Sequence, residues 1–222
     1  MKLSVLFLFA LSGVALVNWI AAALEKRELY IASKPLVLIV LIVFFAKAGG
    51  LDAIRLPFLI ALIFSLIGDI FLIPRSIRWF IAGMTAFLVA HLVYIWAFSR
   101  WEVDRRAIAP AILTALAVIA IMIYVVLSRT RNKPEFKHMR FAFILYSSVL
   151  VVMTVTALLS LWREGWPVAS GAMAGLGGLF FFASDTILGL EKMGKRLPAT
   201  RLLVISTYHI AQTLIVFSTL RL

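Results

Sequence analysis

FLIALIFSLIGDIFL, residues Phe58–Leu72, is an apolar run of membrane-spanning character with one carboxylate, Asp69, set inside it. A charge in hydrocarbon costs at least about 2.5–3.5 kcal/mol on insertion scales, so an intramembrane Asp is by default a functional candidate. LFFFASDTILGL, residues Leu179–Leu190, repeats the pattern around Asp185. In both, Phe and small or apolar residues lead to the Asp, and Leu follows three residues later. The two acids are read as one site inside a helical membrane bundle.

The composition agrees with that reading. The 222 residues are 64% hydrophobic and 14% charged, against about 45–50% and about 25% in soluble domains, and the mean hydropathy is +1.06. The apolar runs are continuous rather than alternating, which points to helices and not a barrel. With no cysteine, disulfides, thiolate catalysis and Cys-based zinc sites are excluded. The net charge of +12 is spread over short loops with no aromatic–basic platform, so no nucleic-acid partner is expected; anionic lipid headgroups are the natural counter-charge. The first run, Leu3–Leu24, follows Lys2 and ends near Ala21-Ala22-Ala23. It is longer than the 7–15 residues of a signal-peptide core, so it reads as a retained span.

Eight spans fit, at residues 3–24, 34–48, 56–73, 79–98, 107–127, 139–162, 167–190 and 201–220. The second is short and opened by Lys34-Pro35; Pro57, Pro110 and Pro167 also sit near span starts, where a missing N–H is tolerated. The loops are brief. The expected fold is therefore all-α: a single polytopic domain over residues 1–222, one bundle of eight transmembrane helices. The loops on the odd-numbered side carry 14 Lys and Arg, against 8 for the even-numbered loops and the two termini. By the positive-inside rule both termini lie outside and the odd loops in the cytoplasm.

Asp69 and Asp185 lie four and five residues before the ends of spans three and seven, about 6–8 Å inside the odd-loop face. Lys34, Tyr146, Tyr208 and His209 enter from the same face, while His91 and Gln212 lie deeper. Topology alone gathers these polar residues into one leaflet, open toward the basic loops. A weak repeat adds to this: His91 follows Asp69 by 22 residues and His209 follows Asp185 by 24. It would relate spans 1–4 to spans 5–8 as parallel halves.

Each motif also has a plainer reading. Ser65 and Asp69 share a helix face at i and i+4; Ser65 bonded to its own backbone and Asp69 satisfied by a lysine would be structural. Two carboxylates in a poorly hydrated pocket instead leave one protonated and one ionised, which suits general acid and base chemistry. His91 with Tyr94, and Tyr208 with Gln212, read equally as interhelical hydrogen bonds. His209 points about 100° away from Tyr208, so the two do not naturally face one pocket. His138 is a solvated loop residue. A two-His, two-carboxylate metal set from His91, His209, Asp69 and Asp185 lacks any supporting HxxxH or HExxH spacing. Gly171–Gly178 lies within a span, where it serves close packing rather than phosphate binding. The six tryptophans near span ends read as interfacial anchors.

Taken together, Lys34-Pro35, Phe64-Ser65-Leu66-Ile67-Gly68-Asp69 with Leu72, Gly83 with Phe87, His91 and Tyr94, Ser184-Asp185 with Leu188, and Tyr208 with Gln212 resemble the YhhN-like membrane proteins. The resemblance spans nearly the whole chain. That family includes the lysoplasmalogenases, so the resemblance implies hydrolysis of the vinyl-ether bond of a lysophospholipid within the bilayer, without a cofactor. It implies Asp69 and Asp185 as catalytic groups, and Lys34, Ser65, His91, Tyr94, Ser184, Tyr208 and Gln212 around the substrate, with Lys34 and the basic loop residues on the phosphate. The setting it suggests is the inner (cytoplasmic) membrane of a bacterium, with the mouth of the site toward the cytoplasm. Two other readings stay open: a metal-dependent lipid amidase or esterase, and a proton-coupled transporter in which the two acids relay protons.

Overall fold

A computed structural model describes residues 2–74, 76–195 and 198–222; Arg75 and Arg196, counted above among the odd-loop charges, lie outside the described residues. Eight long helices follow one another: α1 Lys2–Ala23, α2 Arg27–Phe45, α3 Leu56–Phe71, α4 Ile77–Phe98, α5 Arg105–Thr130, α6 Arg140–Leu158, α7 Val168–Lys192 and α8 Thr200–Thr219. Seven are long and apolar enough to cross a membrane, and α3 is the shorter apolar one. At 16 residues it spans about 24 Å. Its faces are enclosed by α2 and α4, which relieves it of much of the contact with lipid.

Contacts between connections confirm which ends share a face. Arg55, after α2, donates to the Thr219 and Leu222 carbonyls at 3.0 and 2.9 Å. Arg100 donates to the Ala53 carbonyl at 2.7 Å, and Val103 pairs with Arg163 across the even-loop end. On the other face Lys133 donates to the Met193 carbonyl at 2.7 Å, joining the connections before α6 and α8. The alternation expected from hydropathy is therefore built into the loops themselves.

α7 is the central helix, packed on α6 and, most extensively, on α8. Its small residues make that approach possible. A Cβ on Gly177 would meet Ile215 of α8 at 2.8 Å, and one on Gly178 would meet Ala157 of α6 at 2.9 Å. The Gly-rich run thus serves helix approach, as its position inside a span implied. The outermost helix is α5, of which only Val126 and Thr130 are buried.

Two expectations change. Lys34-Pro35 does not open the second span: α2 begins at Arg27 and carries Pro35 in its interior. Residues 27–33 continue the helix through Leu29, Tyr30, Ile31 and Ala32, with Glu28 in the first turn against the positive end of the helix dipole. Pro35 lacks the N–H that would bond the Ile31 carbonyl, and membrane helices tolerate this where a neighbour supplies donors. Here Asn18 of α1 donates to the adjacent Tyr30 carbonyl at 3.0 Å and to Ser33 Oγ at 2.8 Å. Lys34 is consequently a buried helical residue and no longer a loop charge. The tryptophans also divide. Trp79, Trp96 and Trp162 are exposed anchors, whereas Trp166 is buried against Trp101 and Phe98 and Trp19 donates to His209 Nδ1 at 3.1 Å.

Gly178→Leu should force α6 and α7 apart and destabilise the bundle by about 1–3 kcal/mol or more. Thermal unfolding of the detergent-solubilised variant, read beside Gly189→Leu where an added Cβ meets open space, checks this; equal midpoints would refute it.

Candidate active site

Three helices deliver the charged groups. Lys34 is the eighth residue of α2, about 10 Å along its axis from Arg27, which carries its ammonium to the depth of the acids. Its Nζ meets Asp69 Oδ1 at 3.1 Å and the Asp69 carbonyl at 3.4 Å, with both side chains almost fully buried. Asp69 sits in the last turn of α3. The second oxygen, Oδ2, and the Tyr208 hydroxyl complete no hydrogen bond of ordinary geometry, although Tyr208 stands close enough to Asp69 and Gln212 to interact with both. Buried polar atoms left open in this way are unusual and mark a place where water or a ligand is to be bound.

Asp185, on α7, has different neighbours. Tyr146 of α6 donates a hydrogen bond to Oδ2, and His91 Nε2 of α4 stands 3.7 Å from the same oxygen. The imidazole is fixed edge-on to Tyr146 and Phe181, with ring centroids 5.4 and 4.8 Å apart. One acid is thus paired with a cation and the other with a phenol.

Both acids line one chamber of about 110 Å³, together with Tyr30, Lys34, Phe87, Ser184, Tyr208 and others. That is room for several waters. It adjoins a vestibule of about 180 Å³ whose walls include Arg27, Tyr30, Lys34, Glu191, Lys192 and Arg201. The Arg201 guanidinium lies over the Tyr30 ring, 5.3 Å from its centroid, within the range of a cation–π contact. The opening toward the basic odd-loop face is therefore present, with an aromatic throat at Tyr30. A larger apolar groove of about 450 Å³ runs between α5 and the end of α6 at the opposite face; its one carboxylate, Asp104, caps α5.

Of the residues expected around the substrate, Lys34, Ser184 and Tyr208 line the chamber. Ser184 also donates to the Val204 carbonyl at 3.0 Å. Ser65 is fully buried and donates to the Ala61 carbonyl of its own helix at 2.9 Å, as its plainer reading had it. Tyr94 donates to Gln212 Oε1 at 2.6 Å, so these two form an interhelical bond beneath the chamber. His91 touches the chamber only through Asp185. His209 turns away toward Trp19, so the two histidines do not converge, and among the described residues no three His, Asp or Glu side chains are grouped to hold a metal. His138 is exposed. Reading by residue type passed over Tyr30 and Tyr146 as site residues. Tyr146 had a signal in its depth, shared with the acids; Tyr30 lies one turn before Lys34 on the same face, visible once α2 is known to start at Arg27.

The family model described as the YhhN family matches residues 29–219. The chain belongs to that family. It is 35% identical over 162 residues to lysoplasmalogenase TMEM86B of Homo sapiens, covering 72% of this chain and 62% of that protein. It is 34% identical over 172 residues to lysoplasmalogenase TMEM86B of Sus scrofa, covering 77% and 66%, and 30% identical over 207 residues to that of Rattus norvegicus, covering 92% and 75%. The chain thus spans a little under two thirds of the human and pig proteins. No solved structure matches.

Removing one member of the Lys34–Asp69 pair leaves an uncompensated buried charge. Lys34→Met or Asp69→Leu alone is expected to cost about 3–5 kcal/mol, and the two together less than the sum of the singles. Thermal denaturation of the three variants in detergent measures this; strict additivity would mean that the two groups are not coupled.

Proposed function

We propose that this protein hydrolyses the vinyl-ether bond of lysoplasmalogens from within the membrane, releasing a fatty aldehyde and a glycerophospho-head-group alcohol. The observation that carries the reading is the chamber in which Asp69 and Asp185 meet from two helices in unlike surroundings, open to a basic vestibule. The family and the names of its relatives support the substrate class.

The chemistry follows from the two environments. The Lys34 ammonium favours the ionised Asp69 carboxylate, whereas Asp185 meets a phenol and an imidazole and is assigned the acidic proton. Asp185 transfers that proton to the β-carbon of the vinyl ether; the C=C electrons form the new C–H bond and the ether oxygen shares the resulting positive charge as an oxocarbenium ion. Asp69 stabilises the cation. Water adds to the carbon next to oxygen, and its proton passes to the Asp185 carboxylate, directly or by way of Asp69, giving a hemiacetal. Cleavage of the C–O bond, with one proton moved from the hemiacetal hydroxyl to the departing glycerol oxygen, yields aldehyde and alcohol. One water is consumed and both acids return to their starting states. Tyr208 and the open Asp69 Oδ2 are placed to hold the water, and Tyr146 and His91 to orient Asp185. Arg27, Lys192 and Arg201 are suited to the phosphate at the membrane surface.

The closed far end of the bundle favours a hydrolase over a transporter. Beyond the Tyr94–Gln212 bond lie the packed rings of Phe58, Phe98, Trp101 and Trp166. In a bacterial inner membrane the excess of basic residues in the odd loops would turn the vestibule toward the cytoplasm.

Purified protein given a choline or ethanolamine lysoplasmalogen is expected to release aldehyde, unaffected by EDTA. Asp69→Asn and Asp185→Asn should each lose about 100-fold or more in kcat, and Tyr146→Phe less, in the range of a positioning group. No aldehyde from any vinyl-ether lipid would refute the assignment; loss with EDTA would move the site to a metal centre. Because the chain has no cysteine, single cysteines at Lys137 and Glu102 report orientation: in intact cells an impermeant maleimide should label only the second.

A further inference from the structure

Asp185 also lines a second, narrower cleft of about 40 Å³, walled by Phe80 and Met84 of α4, Phe143 and Tyr146 of α6, and Gly189 of α7. Apart from Asp185 and the Tyr146 hydroxyl its lining is apolar. It shares Leu72 and Leu188 with the catalytic chamber, so the two spaces are continuous past the carboxylate. The basic vestibule also shares Leu72 and Leu188 with this cleft, and Lys192 of the vestibule wall holds its ammonium 5.0 Å from the centroid of the Phe80 ring, whereas Met84, Phe143 and Gly189 line the cleft and not the vestibule. A charged space and an apolar one therefore meet at the acids across Leu72 and Leu188.

Gly189 lies at i+4 from Asp185, one turn along the same face of α7. It is a glycine inside a 25-residue helix, a position where alanine is intrinsically the better helix former, and a Cβ built there meets no atom within 4 Å. The glycines at Gly177 and Gly178 are explained by close helix approach; this one is not. What it leaves open is space beside Asp185. Met84, unbranched and with several rotatable bonds, gives the opposite wall the means to adapt to an apolar guest.

We infer that this cleft receives the single apolar chain of the substrate, and that Gly189 is a specificity-determining residue setting how much chain fits beside Asp185. The inference rests on the lysoplasmalogenase reading for its substrate. With the phosphate in the vestibule and the chain in the cleft, the bond joining them falls in the chamber between Asp69 and Asp185.

Two measurements test it. The first uses Gly189→Ala and Gly189→Leu with hexadecenyl and butenyl lysoplasmalogens, taking the ratio of kcat/KM for the long chain to that for the short. Gly189→Leu should lower this ratio about tenfold or more, with Gly189→Ala between it and wild type; a ratio that does not change in well-folded variants overturns the inference. The second needs no turnover. A non-hydrolysable hexadecyl ether lysolipid with a diazirine in its chain should, on irradiation with the wild-type protein, label the segments holding Met84 and Phe143. Labelling confined to the α5–α6 groove or to outward-facing residues overturns the inference. Wild type that cleaves no vinyl ether yet labels Met84 and Phe143 refutes the lysoplasmalogenase reading and leaves the chain cleft standing.

Discussion

A lysine and an aspartate buried together between two membrane helices constrain nearly everything at this end of the bundle. Neither Lys34 nor Asp69 is tolerable alone in hydrocarbon, and their attraction repays the loss of hydration only if the geometry is close. To place the ammonium at the depth of the carboxylate, α2 must run two turns past the point where its apolar residues begin. That extension carries Pro35 into the helix interior, and Asn18 of α1 bonds the turn before it at the Tyr30 carbonyl and Ser33 Oγ. The helical turns from Arg27 to Lys34 also create the Tyr30 throat and put Arg27 at the mouth. A single ion pair thus ties α1, α2 and α3 into one arrangement and shapes the entrance to the chamber.

The number and order of the helices were legible because hydrocarbon solvation writes them into long apolar runs, and the shared depth of the acids followed from counting residues along those runs. The inward turn of Ser65 and the divergence of His209 from Tyr208 were equally legible, since both depend on geometry within one helix. The start of α2 was not. A polar segment followed by proline is a sound loop signal in water; here the same residues continue a helix whose face is completed by α1. Pairings across helices escaped for a related reason. That His91 and Tyr146 converge on Asp185 depends on rotations and crossing angles that no spacing within a single span encodes; a lysine on Asp69 was open in the sequence as its plainer reading, but not that Lys34 supplies it. The 4+4 repeat illustrates the limit: its two acids meet in one chamber, but its two histidines have unlike partners, Asp185 for His91 and Trp19 for His209.

The unlike partners of the two acids bear on the chemistry more than their proximity does. Two equivalent carboxylates would share one proton between them, and either might hold it at a given moment. With Lys34 on one side and Tyr146 and His91 on the other, the acids are no longer interchangeable. A vinyl ether demands that asymmetry, because it must take a proton at carbon, a slow step, while negative charge is already waiting for the cation formed next to oxygen. Under the proposed reaction the ion pair has a second consequence. Asp69 is held by Lys34 through Oδ1 and leaves Oδ2 outside that ion pair, so the anion is anchored without being used up. A free carboxylate in the same place would be costlier to bury, and one bonded through both oxygens would have none left for water or the cation.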